Sequence, residues 1–344
     1  RPPSVKHSMS ETQSKPLAPW LQRQLQALLQ RQGHAWLLHG PSGLGQHELS
    51  KALAQAWLCK HPSEEGACGQ CPSCLGFDRH THADLCVLMP ETHTLNLGWP
   101  LDEKAQQEID DKKRKPSKEI RVEAARQMVA FTQTTPLGRR GQVVWIHPAD
   151  RMNAITANTL LKTLEEPPGT TRFVLTTDAV HHLLPTLRSR CQSHALQMPT
   201  TQEAHAWLAE QGIPSEQVEV LWRASGGRPS WVLERFKQEG MTAQAWSQWP
   251  RQLAKGQAGL LATLPAAEGL ACLQKLCHDL LAIAVGGPAQ FFRAEDLPKT
   301  PSASKAAQWA QELKDMTRHV EHPYNAALQL QAWTVRARQA MRPD

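Results

Sequence analysis

Apolar positions along this chain alternate between helical and strand-like spacing. Over residues 20–32 they recur at helical intervals, with Leu21, Leu25, Leu28 and Leu29 on one face. His34-Ala35-Trp36-Leu37-Leu38-His39 is a short apolar run that stops at Gly40-Pro41-Ser42-Gly43-Leu44-Gly45. A second helical pattern follows, with Leu49, Leu53, Ala56 and Trp57 inward. Strand, glycine loop and helix together open a nucleotide-binding α/β domain. Another helix is expected over residues 119–132. Gln142-Val143-Val144-Trp145-Ile146 then reads as a buried strand, continuously apolar as parallel strands tend to be. Residues 153–166 should be helical, with Ile155, Leu160, Leu161 and Leu164 apolar, and Pro167-Pro168-Gly169 stops them. Arg172-Phe173-Val174-Leu175-Thr176-Thr177 is a third strand, and the alternation predicts a doubly wound parallel sheet.

From about residue 200 onward the strand signals vanish. Short helices are expected over 202–211 and 215–224, then a break at Gly226-Gly227-Arg228-Pro229 and a helix from Ser230. Beyond Trp249 the pattern is helical and rich in Ala, Leu and Gln. The layout is therefore a leader over 1–16, an α/β core over 17–198, a small helical domain over 199–243 and a larger helical domain over 244–344. Residues 99–118 carry Asp102-Glu103-Lys104 and Asp110-Asp111-Lys112-Lys113-Arg114-Lys115, and read as a mobile charged insertion. No internal repeat is visible.

Composition narrows the class. A length of 344 residues suits two or three domains. No run approaches the roughly 18 apolar residues of a membrane span. The start, Arg1-Pro2-Pro3-Ser4-Val5-Lys6, has neither an initiator Met nor the apolar segment of a signal peptide. A flexible leader and a cytoplasmic location are the expectations. The formal charge of +6 is mildly basic and spread out, as on an ordinary solvated surface, although it would also favour proximity to DNA.

The glycine loop has the frame of a phosphate loop, G-x-x-x-x-G-K-[ST], without its chemistry. The Lys that meets the β- and γ-phosphates is replaced by Gln46, and the Ser/Thr that holds Mg²⁺ by His47. Mg²⁺ prefers oxygen ligands, so His47 is a poor substitute. The strand 142–146 should end in a pair of carboxylates, but His147-Pro148 stand there and Asp150 comes three residues late. Loss at two independent places argues against accident. Gly40, Gly43, Gly45, Gln46 and His47 are a degenerate site, and neither ATP nor Mg²⁺ is expected in it.

Four of the eight cysteines cluster as Cys59-x8-Cys68-x2-Cys71-x2-Cys74, interrupted by Gly66, Gly69 and Pro72. Four thiolates at this spacing are a metal signal, and a closed four-sulfur set points to structural zinc. His61, His80 and His82 are competing ligands. Cys86, Cys191, Cys272 and Cys277 lie outside the spacing and read as buried small side chains.

After the third strand comes Leu183-Leu184-Pro185-Thr186-Leu187-Arg188-Ser189-Arg190-Cys191, a basic loop. With the glycine loop, the cysteine insertion, His82-Ala83-Asp84, Ile120-Arg121-Val122 and Ala157-Asn158-Thr159-Leu160-Leu161-Lys162-Thr163-Leu164-Glu165-Glu166-Pro167-Pro168, it resembles the clamp-loader branch of the AAA+ family. Within that branch the nearest likeness is to the delta-prime subunits of bacterial DNA polymerase III, over residues 17–240. The resemblance implies an AAA+ core with a zinc knuckle (59–74), a helical lid (199–243) and a helical collar (244–344). It implies a hetero-oligomeric ring with gamma/tau motor and delta subunits, acting on a sliding clamp and primed DNA. Motor subunits of that family keep an intact phosphate loop and delta-prime subunits carry a degraded one, so Gln46, His47, His147 and Pro148 favour the latter. The Arg of the Ser-Arg-Cys element is the family's arginine finger toward the neighbour's ATP, here Arg190. Arg228 falls near the sensor-2 position, where helix capping or surface placement is the simpler role. Two other readings remain: an active motor with a divergent loop, and a zinc-dependent DNA-binding module. The second suffers from the scarcity of basic residues around the knuckle, Lys60 and Arg79.

Overall fold

The structure is a computed structural model that describes residues 16–239, 241–317 and 325–342. The leader expected over 1–16 lies, but for its last residue, outside the described residues. The chain divides into two compact units, Arg1–Gln197 and Met198–Asp344. No described helix is long and apolar enough to cross a membrane.

The first unit is built on five strands: β1 (Ala35–His39), β2 (Leu85–Leu88), β3 (Val143–Ile146), β4 (Arg172–Thr177) and β5 (Gln192–Ala195). They form one sheet in the order β2-β3-β4-β1-β5, and every pairing is parallel. Leu37 lies opposite Leu175, and Val144 opposite Phe173. These residues are buried, because helices cover the sheet and only a continuous apolar run fits such a position. The three strands read from apolarity are β1, β3 and β4, the middle of the sheet. The edge strand β2 is only half-buried over Leu85, Cys86 and Val87, and β5 is the polar stretch Gln-Ser-His-Ala; neither carries the apolar signal.

Leu49, Leu53, Ala56 and Trp57 of the helix Gln46–Leu58 are all buried, as their spacing requires. In the helix Ala154–Glu165 the Asn153 side chain caps the N-terminus, accepting from Thr156 N at 2.9 Å. Leu160 and Leu164 face the core there, whereas Ile155 points out and is 69 % exposed.

The charged stretch 99–118 departs from expectation, because it is tied down at both ends. Trp99 is buried and packs edge-on against Phe77 (6.2 Å between centroids) and Trp145 (5.7 Å). Asp102 then caps a helix, Glu103–Asp110. Arg114 grips the buried Glu91 with both ends of its fork, at 2.5 and 2.8 Å, and reaches Glu108 at 2.7 Å. Burial works against the charge on Glu91, but Arg114, the Ser117 N–H and Arg121 outweigh it and hold its pKa below the usual range.

In the second unit the helices include Thr201–Glu210, Ser215–Ser225, Pro229–Glu239, Ala243–Ala254, Ala266–Ala284, Ala303–Met316 and Ala326–Ala340. One apolar cluster runs from Ala204 to Met341, with Trp246 stacked on Phe292 at 4.5 Å. Two buried polar residues on the helix Ala266–Ala284 fix the surrounding backbone. Asp279 accepts the N–H groups of Gln290, Phe291 and Phe292, and Lys275 donates to the Ala224 carbonyl at 2.6 Å beneath Trp231.

Candidate functional site

The loop Gly40–Gly45 leaves the C-terminal end of β1 and feeds the helix Gln46–Leu58, where ligands of open parallel sheets bind. Gly45 must be glycine for two reasons. Its φ is 103°, in the left-handed region, and an added Cβ would come 2.5 Å from Leu21 Cδ1. The frame that cradles phosphate is thus present.

What fills the frame is different. Gln46 is 7 % exposed, and its Nε2 donates to the carbonyls of Gly40 (2.7 Å) and Pro41 (2.8 Å). The side chain at the lysine position is neutral and closes on the loop's own backbone. His47 packs against Trp145 at 5.3 Å and His147 at 5.0 Å, and His93 meets His147 edge-on at 6.1 Å. Burial lowers the pKa of all three histidines; His147, with His47 and His93 adding to the effect, falls to about 3. At neutral pH the trio is uncharged. His47 Nε2 and His93 Nδ1 are buried with no hydrogen-bond partner among the described residues. His147 Nδ1 is bonded with Thr176 Oγ1 at 2.6 Å, and the late carboxylate Asp150 accepts from Thr177 Oγ1 at 2.6 Å. Imidazoles and a closed amide stand where lysine, hydroxyl and carboxylates would act on Mg·ATP. His93 joins this group from a segment that gave no sequence signal.

The four cysteines converge at the other end of the same helix. Cys59 follows Leu58, Cys71 precedes the helix Pro72–Asp78, and Cys74 lies in its first turn. Sγ separations are 3.9 Å for Cys59–Cys71, 4.0 Å for Cys68–Cys74 and 3.5 Å for Cys71–Cys74. A tetrahedron of thiolates about 2.3 Å from a central ion has edges of about 3.8 Å, so the four sulfurs fit one ion. All four lie within 4.8 Å of one another and can hold a metal. Burial opposes ionisation of Cys71, but N–H groups of Cys74 and Lys60 outweigh it and bring the thiol down to about 6. The Cys68 N–H also points at Cys59 Sγ, at 3.3 Å. The candidate histidines stay apart: His82 Nε2 pairs with Ser73 Oγ at 2.7 Å, and His80 stacks on Trp99 at 3.8 Å.

Arg190 lies between the short helix Pro185–Arg188 and β5. Its fork is not free: Nε and Nη2 donate to Glu165 Oε2 at 2.9 and 2.6 Å, and Nη1 to the Thr186 carbonyl at 2.9 Å. The two side chains are 29 % and 59 % exposed. Glu165, the first acid of the Glu-Glu-Pro-Pro stretch, is the holding residue that sequence reasoning missed. Arg228 instead caps the end of the preceding helix, Ser215–Ser225, its Nε donating to the Ser225 carbonyl at 2.6 Å.

Comparison with known proteins bears on this arrangement. The family model described as "DNA polymerase III, delta subunit" matches residues 15–200. Among curated proteins, the DNA polymerase III subunit delta' of Pseudomonas aeruginosa is 36 % identical over 69 % of this chain and 64 % of its own length. The chain belongs to the DNA polymerase III delta' family. The delta' subunit of Escherichia coli is 32 % identical over 66 % of this chain and 63 % of its own length. The matches thus span just under two thirds of these delta' relatives. A solved structure, a DNA polymerase III gamma subunit-related protein from Thermotoga maritima, superposes with a TM-score of 0.51. It is 16 % identical, and the overlap covers 94 % of this chain and 100 % of that one. At that identity the likeness is one of fold: the parallel sheet with its covering helices.

Proposed function

We propose that this chain is a clamp-loader subunit with no ATPase activity of its own. In a ring with gamma/tau motor and delta subunits it helps place a sliding clamp on primed DNA, and it offers Arg190 to ATP held by the neighbouring motor. Gln46 carries the reading. A buried amide bonded to Gly40 and Pro41 supplies neither the charge nor the reach that phosphoryl transfer draws from lysine. Family membership supports it, since the relatives carry the delta' name. Residues 199–243 would form the lid and 244–344 the collar that closes the ring, all within the cytoplasm. The four cysteines would hold zinc, whose part is to cross-link Cys59 to the helix Pro72–Asp78.

Arg190 would exchange Glu165 for phosphate oxygens when the ring closes. An ion pair this exposed is worth about 0–1 kcal/mol, so releasing it costs little, and the Thr186 bond keeps the fork oriented meanwhile. The test is a reconstituted ring with clamp and primed DNA. Arg190→Ala should leave the ring assembled, by size-exclusion chromatography, and lower ATP turnover by about 10³-fold. Unchanged turnover in an assembled ring would show that no finger acts from this position.

A further inference from the structure

The edge of the sheet remote from the glycine loop carries a cluster of cations that nucleotide chemistry does not explain. In a parallel sheet all strands begin at one edge. Here Gly33 precedes β1, Asp84 precedes β2, Arg140 precedes β3 and Arg172 opens β4. Two neighbouring hollows open at that edge, of about 610 and 430 Å³, and Arg140 lines both. Lys60 and Arg139 line the larger, Arg31 and Arg172 the smaller.

Among the described residues no ion pair joins any of these five cations to a carboxylate. The smaller hollow is lined by no acid. The acid of the larger is Asp84, and both its oxygens are occupied, accepting Leu137 N and Gly138 N at 2.7 Å each. Burial lowers the pKa of Arg172, and the charge of Arg140 lowers it further, so the pair repel. Three guanidiniums are also pre-set. Arg31 lies over Trp36 at 4.7 Å, Arg172 over Trp57 at 5.7 Å, and Arg140 Nε donates to the Trp57 carbonyl at 3.3 Å. Little side-chain entropy is left to lose when an anion arrives.

Two observations select the kind of anion. Arginines already cover faces of Trp36 and Trp57, which leaves them poorly placed for the base stacking that single-stranded nucleic acid uses. The larger hollow also has an apolar wall, Leu58, Pro72, Ala83 and Leu137, and Leu137 is 85 % exposed. A phosphate backbone has no use for such a wall. Arginines beside it match an acidic peptide with an apolar side chain.

We propose that this cleft, centred on Arg140 with Leu137 beside it, docks an extended acidic peptide segment of a partner protein, carboxylates on the arginines and an apolar side chain against Leu137. The proposal is independent of the nucleotide reading. The test titrates a fluorescein-labelled peptide of Asp and Glu around one Phe with the full chain, read by anisotropy at low and at moderate salt. Binding should saturate and weaken with salt. Arg140→Ala and Arg139→Glu should each weaken it about tenfold, equivalent to about 1.4 kcal/mol. Leu137→Ser should weaken it about threefold. All three positions are exposed, so melting curves should not move. No binding, or equal binding by the Arg140→Ala chain, overturns the proposal. So does a DNA duplex that binds more tightly than the peptide and is indifferent to Leu137→Ser, which would make the cleft a nucleic-acid surface.

Discussion

The helix Gln46–Leu58 has a glycine-turned loop at each end, and the two loops have kept opposite things. At its N-terminus the backbone frame survives, with Gly43 and Gly45 in left-handed conformations, but every group that would act on a nucleotide is replaced. At its C-terminus all four donor atoms are present and converge to within 4.8 Å. The difference lies in what each loop does for the fold. The frame around Gly45 is tied to the packing of Leu21, so the fold needs its glycines whether or not phosphate binds. The sulfurs have no such second duty, and four buried or half-buried thiols without an ion would be a poor core. A loop frame is therefore weak evidence of activity, whereas a complete donor set is strong evidence of a ligand.

The largest effect should come from the intact end. Cys74→Ser should destabilise the first unit by about 4 kcal/mol in urea unfolding. A chelator should lower the stability of the unaltered chain comparably and leave the variant where it is. Indifference of the unaltered chain to chelator would erase the contrast between the two loops.

Next in size is a pH effect at the degenerate end. The folded pKa of His147 is about 3 and those of His47 and His93 are lowered, against about 6.5 in an unfolded chain. The unfolded state then binds more protons as pH drops below 6.5. Stability is full above that value and declines toward pH 3, by about 1 kcal/mol per pH unit for a half-buried histidine. Melts at pH 7 and pH 5 should differ accordingly, and His147→Gln should flatten the slope. Equal slopes in the two chains would mean that the histidines do not replace the lost carboxylates as neutral packing.

Much of this contrast was legible in residue spacing alone. The glycine frame, the substitutions at Gln46, His47 and His147, and the cysteine quartet are local in sequence, and β1, β3 and β4 announce themselves by unbroken apolarity. What was hidden depends on contacts between distant segments. Gln46 folding onto Gly40 and Pro41, His93 joining His47 and His147, and Glu165 holding Arg190 have no local signature. The charged stretch 99–118 misled for the same reason. Its polarity suggested mobility, whereas Trp99 plugs the aromatic group of Phe77 and Trp145, and Arg114 clamps Glu91, residues far away in the chain.

A smaller effect separates holding from acting at Arg190. Glu165→Gln should leave melting unchanged and raise turnover of the neighbouring motor about two- to fivefold, the worth of an exposed pair. A fall as large as that of Arg190→Ala would make Glu165 part of the chemistry itself. The smallest effect of all should be that of Gln46→Lys. It restores the charge but leaves His47 and His147 at the Mg²⁺ positions, so phosphate release by the chain alone should stay at background.

The measurement that meets the central claim head-on is ATP turnover by the purified chain, free of any motor subunit. The account predicts no phosphate release above background with Mg²⁺ and ATP, with or without primed DNA. Saturable turnover that tracks the chain through purification and disappears in His147→Ala would contradict it, and would show that Gln46, His47 and His147 form a working site.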